Sequence, residues 1–106
     1  MDFGLTQEQI NHLIAIFKKY LKSGKVIIYG SRAKGNFTSR SDIDLVIKNS
    51  KTIDMQLLAN LKEEIQESDL PYLVDIQFFE TIKNVELIEH IIRVGKVLYQ
   101  KDIDKK

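Results

Sequence analysis

The sequence predicts an α/β (α+β) domain in which helices flank a small mixed β-sheet. Short runs rich in β-branched residues alternate with longer segments whose apolar residues recur every three or four positions. The predicted order is helix, strand, turn, strand, helix, strand, helix, which is typical of a sheet covered by helices. The chain has 106 residues without an internal repeat or linker, so we expect one domain over residues 1–106.

The first half is predicted to contain a helix, a strand and a tight turn. A helix is expected over residues 6–21, because Thr6 and Gln9 have the spacing of a capping box. Its apolar stripe consists of Ile10, Leu13, Ile14, Phe17 and Leu21. Residues 26–29 are apolar and β-branched and predict a buried strand. Residues 31–35 leave room for one helical turn.

The second half is predicted to add two strands and two helices. A strand over 42–47 would place Ile43, Leu45 and Ile47 on one face and Asp42, Asp44 and Val46 on the other. A helix over 53–67 would bury Leu57, Leu58, Leu61 and Ile65, and a third strand would cover 72–79. A last helix over 84–94 would turn Ile88, Ile91 and Ile92 inward. Residues 96–100 fit either a short final strand or a frayed extension.

The composition excludes several classes of protein. Hydrophobic residues make up 43% of the chain and charged residues 29%, which excludes a disordered or fibrous protein. The chain has no cysteine, which excludes disulfides, thiolate metal sites and cysteine nucleophiles. The N-terminus lacks the features of a signal peptide, and no apolar stretch approaches the roughly 20 residues that span a bilayer. We expect a cytoplasmic protein.

Charge is distributed unevenly, although the net charge is only +1. Residues 18–40 contain seven basic residues and no acidic one, and the rest of the chain has a net charge of −6. This asymmetry favours an anionic ligand near the first half of the chain. Lys18, Lys19 and Lys22 fit a solvated helix end, where cations favour the helix dipole.

Three aspartates interrupt otherwise apolar strands. Asp42 and Asp44 are two residues apart and would point to the same side of a strand, while Asp75 interrupts the third strand. Like charges this close repel unless a cation lies between them. Carboxylate oxygens are ligands that Mg²⁺ accepts, and one or two such ions would assist an in-line phosphoryl displacement. Each aspartate taken alone fits equally well a surface residue or an ion pair.

A glycine turn lies just upstream of the aspartates. Gly30 and Ser31 follow the first strand, and a backbone turn into a helix is a place where phosphate oxygens bind. The Ser31 hydroxyl could donate to a phosphate, and Arg32 or Lys34 could add positive charge. An ordinary turn would have the same residues. The later residues do not match a P-loop or a dinucleotide fingerprint.

Together these features resemble the nucleotidyltransferase superfamily related to DNA polymerase β, and within it the minimal nucleotidyltransferases. The matching text is GSRAKGNFTSRSDIDLVI, with VDIQFF further on. The resemblance implies that Gly30 and Ser31 bind the nucleotide triphosphate, and that Asp42, Asp44 and Asp75 form the catalytic, metal-binding acids. Arg32 and Lys34 would be further nucleotide contacts. The implied cofactor is Mg²⁺, as one or two ions, with ATP or another NTP as substrate.

The resemblance also implies a partner. About 27 residues follow Phe79, fewer than an acceptor-binding domain needs. Minimal nucleotidyltransferases pair with small all-helical HEPN-domain toxins, so we expect an antitoxin that transfers AMP to a tyrosine of such a toxin. Exposed apolar surface should then remain on the last helix or a sheet edge.

Three other functions stay open at this point. The chain could be a catalytically silent antitoxin or nucleotide-binding subunit that acts by binding alone. A nucleic-acid-binding module is disfavoured by the net charge and by the lack of interleaved aromatic and basic residues. A drug-modifying enzyme is disfavoured by the missing substrate domain.

Overall fold

The computed structural model describes residues 3–51 and 53–101, and it confirms the predicted mixed sheet with flanking helices. The elements in chain order are α1 (Gln7–Tyr20), β1 (Gly24–Tyr29), α2 (Ser31–Lys34), β2 (Ile43–Lys48), α3 (Met55–Gln66), β3 (Val74–Phe78), a 3₁₀ turn (Phe79–Thr81), α4 (Val85–Val94) and β4 (Lys96–Lys101). The strand order in the sheet is β3-β2-β1-β4. β1 is antiparallel to both β2 and β4, whereas β2 and β3 are parallel. Within the described residues, no helix is long and apolar enough to cross a membrane.

Side chains cap the three longer helices, and the predicted capping box of α1 is confirmed. Thr6 caps α1 through a capping box, in which its hydroxyl accepts from the Gln9 amide at 3.0 Å and its own amide donates to Gln9 Oε1 at 2.9 Å. Asp54 and Asn84 cap α3 and α4 by accepting from amides of the first turn, without a reciprocal bond. These side chains satisfy amides that a helix leaves unpaired at its start. The segment after α4 is a strand, not a frayed helix end, because it pairs with β1.

The larger core lies between the sheet and the pair α1 and α3. It includes the predicted face of β2, with Ile43, Leu45 and Ile47 fully buried, together with Leu13 and Leu61 from the two helices. Ile16 of α1 is buried as well, although the predicted stripe omits it. The burial of Ile43, Leu45 and Ile47 confirms the prediction of which face of β2 points into the core.

The opposite face of the sheet is covered only in part. α4 packs there on a small cluster made of Ile27, Tyr29, Val46 and Ile91. The prediction that Ile92 points inward is wrong, since its side chain is 66% exposed. The strands present only this narrow apolar patch to α4, and Ile91 is the one residue of this helix that is buried. The carboxylates lie on this partly open face.

Candidate active site

The three predicted aspartates lie at one end of the sheet. Asp44 is the second residue of β2 and Asp75 the second residue of β3, and the parallel register pairs them directly. Asp42 stands two residues before Asp44, just ahead of β2, where the Ile43 amide donates to the Leu73 carbonyl at 2.9 Å. Neighbouring strands lie about 4.8 Å apart, so paired residues on one face are close neighbours. The fold therefore groups aspartates that are 31 residues apart in the sequence.

The electrostatics of this group centre on Asp44. Burial raises the pKa of the half-buried Asp44 carboxyl, and the negative charges of Asp75 and Asp42 raise it further. Both effects disfavour the ionised form of this residue in the folded protein. A cation held between the carboxylates would oppose both effects.

The donor chemistry fits a hard cation that shares its coordination with a substrate. Within residues 3–51 and 53–101, no three histidine, cysteine, aspartate or glutamate side chains form a complete metal cluster. Asp42 and Asp44 nevertheless offer carboxylate oxygens from one side of β2. Mg²⁺ characteristically binds one or two carboxylates together with substrate phosphates and water, and it rarely needs a full protein cage.

The glycine turn lies directly against one of the aspartates, Asp44. Gly30 joins β1 to α2 with a φ of 77°, a conformation that other residues rarely adopt. A Cβ atom at this position would overlap Oδ2 of Asp44. The absence of a side chain at residue 30 thus lets the turn and the carboxylate occupy adjacent space. Ser31 begins α2, and the exposed Lys34 ends it.

Arg32 has a different environment from the other residues of the turn. Its side chain is 1% exposed. Nε and Nη2 donate to the Ser41 carbonyl at 3.0 and 2.9 Å, and Nη1 donates to the Phe3 carbonyl at 2.8 Å. The guanidinium also lies 4.4 Å from the centroid of the Tyr72 ring and 5.3 Å from that of Phe37. This placement favours a structural role for Arg32 over the predicted phosphate contact.

Tyr29 and Gln77 are two polar neighbours of the aspartates that the sequence did not place beside them. Tyr29 is paired with Asp44 across β1 and β2. Burial raises the pKa of the Tyr29 phenol, a hydrogen bond with Gln77 lowers it, and the charges of Asp44 and Asp75 raise it. The rings of Tyr29 and His90 of α4 form a T-shaped pair, with 6.1 Å between the ring centroids. The alternation of β3 was a usable signal, because it places Gln77 on the same face as Asp75.

The comparisons with known proteins agree with this arrangement. Residues 11–104 match the family model described as polymerase beta, nucleotidyltransferase. The protein named "Probable protein adenylyltransferase MntA" from Haemophilus influenzae is 31% identical over 101 residues, which is 95% of this chain and 88% of that protein.

Two solved structures have the same fold. A toxin–antitoxin crystal structure with AMP-PNP gives a TM-score of 0.69 at 22% identity, over 87% of this chain and 73% of that chain. The complex of a tri-AMPylated Shewanella oneidensis HEPN toxin with an MNT antitoxin gives a TM-score of 0.60 at 19% identity, over 92% of this chain and 74% of that chain.

Proposed function

Because this chain belongs to the polymerase β nucleotidyltransferase family, we propose that it is an antitoxin that transfers AMP from ATP to a tyrosine hydroxyl of a HEPN-domain toxin. One observation carries the proposal: Gly30 of the turn contacts Asp44, which is itself paired with Asp75. The glycine turn and the aspartates therefore lie at one site. A reaction between a triphosphate and a hydroxyl requires such a site.

The chemistry that we propose is an in-line displacement at the α-phosphorus. The acceptor oxygen forms a bond to this phosphorus while the bond to the oxygen bridging the α- and β-phosphates breaks, and pyrophosphate leaves. Asp42 and Asp44 would hold Mg²⁺, and Asp75 would orient the attacking hydroxyl and receive its proton. When bound, Mg²⁺ would neutralise the charge that develops on the phosphates.

The turn supplies the proposed triphosphate contacts. Gly30 allows close approach of the backbone, and the Ser31 hydroxyl and the first amides of α2 would donate to phosphate oxygens. Lys34 is exposed on the same turn and would contribute positive charge. Arg32 is omitted from these contacts, because its nitrogen atoms already donate to backbone carbonyls.

Apolar surface on α4 and β4 supports a protein as the acceptor. Val85, Ile92 and Val97 are 65%, 66% and 51% exposed, which agrees with the predicted apolar surface on the last helix and sheet edge. Val85 and Ile92 are seven residues apart and share one side of α4. An exposed apolar strip of this kind fits a partner protein better than a small polar acceptor.

A second candidate is an antitoxin that acts by binding alone. It is favoured by the same exposed strip on α4. In this case the toxin would be neutralised without modification.

Intact-mass analysis of the partner would distinguish the two functions. The chain would be co-expressed with its HEPN-domain partner, and the control would be the Asp42→Asn/Asp44→Asn double variant. A partner that is heavier by AMP units only with the wild-type chain would support transfer. Loss of the added mass in a Tyr→Phe variant of the partner would identify the acceptor. An unmodified partner that co-purifies with both forms would support binding alone.

A further inference from the structure

We propose that Arg32 is a positioning residue that sets the location of Asp42 and Asp44 without contacting the nucleotide. The inference rests on the proposed role of these aspartates in holding Mg²⁺. Its basis is the pair of hydrogen bonds from Nε and Nη2 to the carbonyl of Ser41, the residue immediately before Asp42.

The guanidinium joins segments that are distant in the sequence. Arg32 lies in α2, directly after the glycine turn, and it contacts the carbonyl of Phe3, the carbonyl of Ser41 and the ring of Tyr72. Tyr72 precedes Asp75 by three residues. One side chain thus joins the turn to the backbone ahead of β2 and to an aromatic side chain ahead of β3, the two strands that carry Asp44 and Asp75.

The loop before Asp42 is held from its other side as well. The Ser41 amide donates to the Thr38 carbonyl at 3.1 Å, and the Thr38 amide donates to the Ser41 hydroxyl at 2.9 Å. With Arg32 on its carbonyl, Ser41 is bonded through its amide, its side chain and its carbonyl. The backbone that leads into Asp42 is therefore restrained on each side.

Burial explains why an arginine is needed at this position. A buried cation is costly unless hydrogen bonds and polarisable neighbours compensate it. The planar fork of arginine places two N–H groups on one carbonyl while its faces stack on aromatic rings. Lysine would keep the positive charge but could not reproduce this geometry.

The test compares three arginine variants of the full chain. Arg32→Lys keeps the charge and removes the fork, and Arg32→Met removes both. Arg40→Lys is the matched control, because Arg40 is exposed in the loop that contains Ser41. For each variant the measurements are the Mn²⁺ affinity by electron paramagnetic resonance, kcat and KM for ATP, and hydrogen exchange of residues 41–47.

For Arg32→Lys we expect a cooperative unfolding transition, Mn²⁺ affinity and kcat about tenfold lower, and KM for ATP close to that of the wild type. Hydrogen exchange should rise in residues 41–47 but stay unchanged in α3. Arg40→Lys should match the wild type. If Arg32→Met does not fold, Arg32→Lys still tests the proposal.

Two results would overturn the positioning role. A folded Arg32→Lys with wild-type Mn²⁺ affinity and exchange would show that the fork is dispensable. A higher KM for ATP with unchanged Mn²⁺ affinity would instead indicate a direct phosphate contact. Failure of the proposed function is separate, because it would show as Mn²⁺ affinity equal in the wild type and the Asp42→Asn/Asp44→Asn variant. In that case, hydrogen exchange of residues 41–47 in Arg32→Lys would still test whether Arg32 holds the backbone ahead of Asp42 in place.

Discussion

Asp44 and Leu45 are neighbours in β2, yet their side chains meet different surroundings on opposite faces of the sheet. Leu45 is fully buried under α1 and α3. Asp44 is half-buried beside Asp75 and Gly30, on the face that α4 covers only in part. The contrast indicates that one face supplies most of the stability, while the other tolerates repelling carboxylates, which are the groups that the proposed chemistry requires.

The largest effect should come from Asp44→Asn, which removes the negative charge that we propose holds Mg²⁺ while keeping the shape of the side chain. We expect the rate of nucleotide transfer to fall about 10³-fold or more, equivalent to roughly 4 kcal/mol. The initial rate of transfer to the partner would be measured at saturating ATP and Mg²⁺. A variant that keeps more than a tenth of the wild-type rate would contradict the assignment of this face as catalytic.

Leu45→Ala should destabilise the face of the sheet that packs on the larger core. The substitution leaves a cavity in the larger core, and we expect the free energy of unfolding to fall by about 2–5 kcal/mol. This is a large part of the roughly 5–15 kcal/mol that stabilises a domain. Urea unfolding would measure the change. The transfer rate per folded molecule should change little, and a selective loss of transfer would show that the two faces are not independent.

Gly30→Ala should lower both the transfer rate and the stability, and the transfer rate should be affected more. Its Cβ would displace Asp44, and a misplacement of about 1 Å can lower a rate roughly 10²-fold. The positive φ adds a stability cost of about 1–2 kcal/mol. The control is Gly35→Ala, which has a comparable positive φ of 94° at the end of α2. Equal loss of transfer in both variants would attribute the effect to backbone strain alone.

Asp44→Asn should also slightly stabilise the protein in the absence of metal. The pKa of Asp44 is higher in the folded state than in the unfolded chain, so ionisation there opposes folding. The penalty is complete above the folded pKa, and it disappears as the pH falls below the unfolded pKa. Because water still reaches this carboxylate, we expect a gain of less than about 1 kcal/mol at pH 7.

Urea unfolding at pH 7 and at pH 3 would test this gain, with Asp69→Asn as a surface control. Added Mg²⁺ should narrow the difference in the free energy of unfolding between Asp44→Asn and the wild type, because it would stabilise only the wild type. A less stable Asp44→Asn variant at pH 7 would mean that the ionised carboxylate has a stabilising partner.

The smallest effect should come from the ion pair between α1 and α3, which lies at the rim of the larger core. Lys19 Nζ and Glu64 Oε1 are 2.9 Å apart. The bond from Lys19, followed by that from Tyr20, lowers the pKa of Glu64, so its stabilisation exists above the unfolded pKa and is lost as the pH falls through the folded pKa.

Glu64→Gln should therefore lower Tm slightly at pH 7 and leave it unchanged at pH 2. Exposed ion pairs contribute little, so the change should be near the error of a thermal melt. A large decrease in Tm would show that this ion pair stabilises the protein more than its exposure indicates.

The sequence by itself determined the elements whose causes are local. Thr6 and Gln9 predicted the start of α1, because a capping box needs only residues three apart. The alternation of β2 predicted which residues face the core, because the pleat repeats every two residues. Gly30, Ser31 and the three aspartates were identified from residue type and spacing. Their roles as nucleotide and metal ligands stay predictions.

The tertiary structure decided what depends on packing between distant segments. Only the register of β2 on β3 pairs Asp44 with Asp75. Nothing local indicates that Arg32 is buried, because its partners Phe3, Ser41 and Tyr72 come from three other segments. The exposure of Ile92 likewise follows from the narrow patch that the sheet offers to α4. Helical periodicity identifies an apolar stripe, but the neighbouring elements decide how much of that stripe is covered.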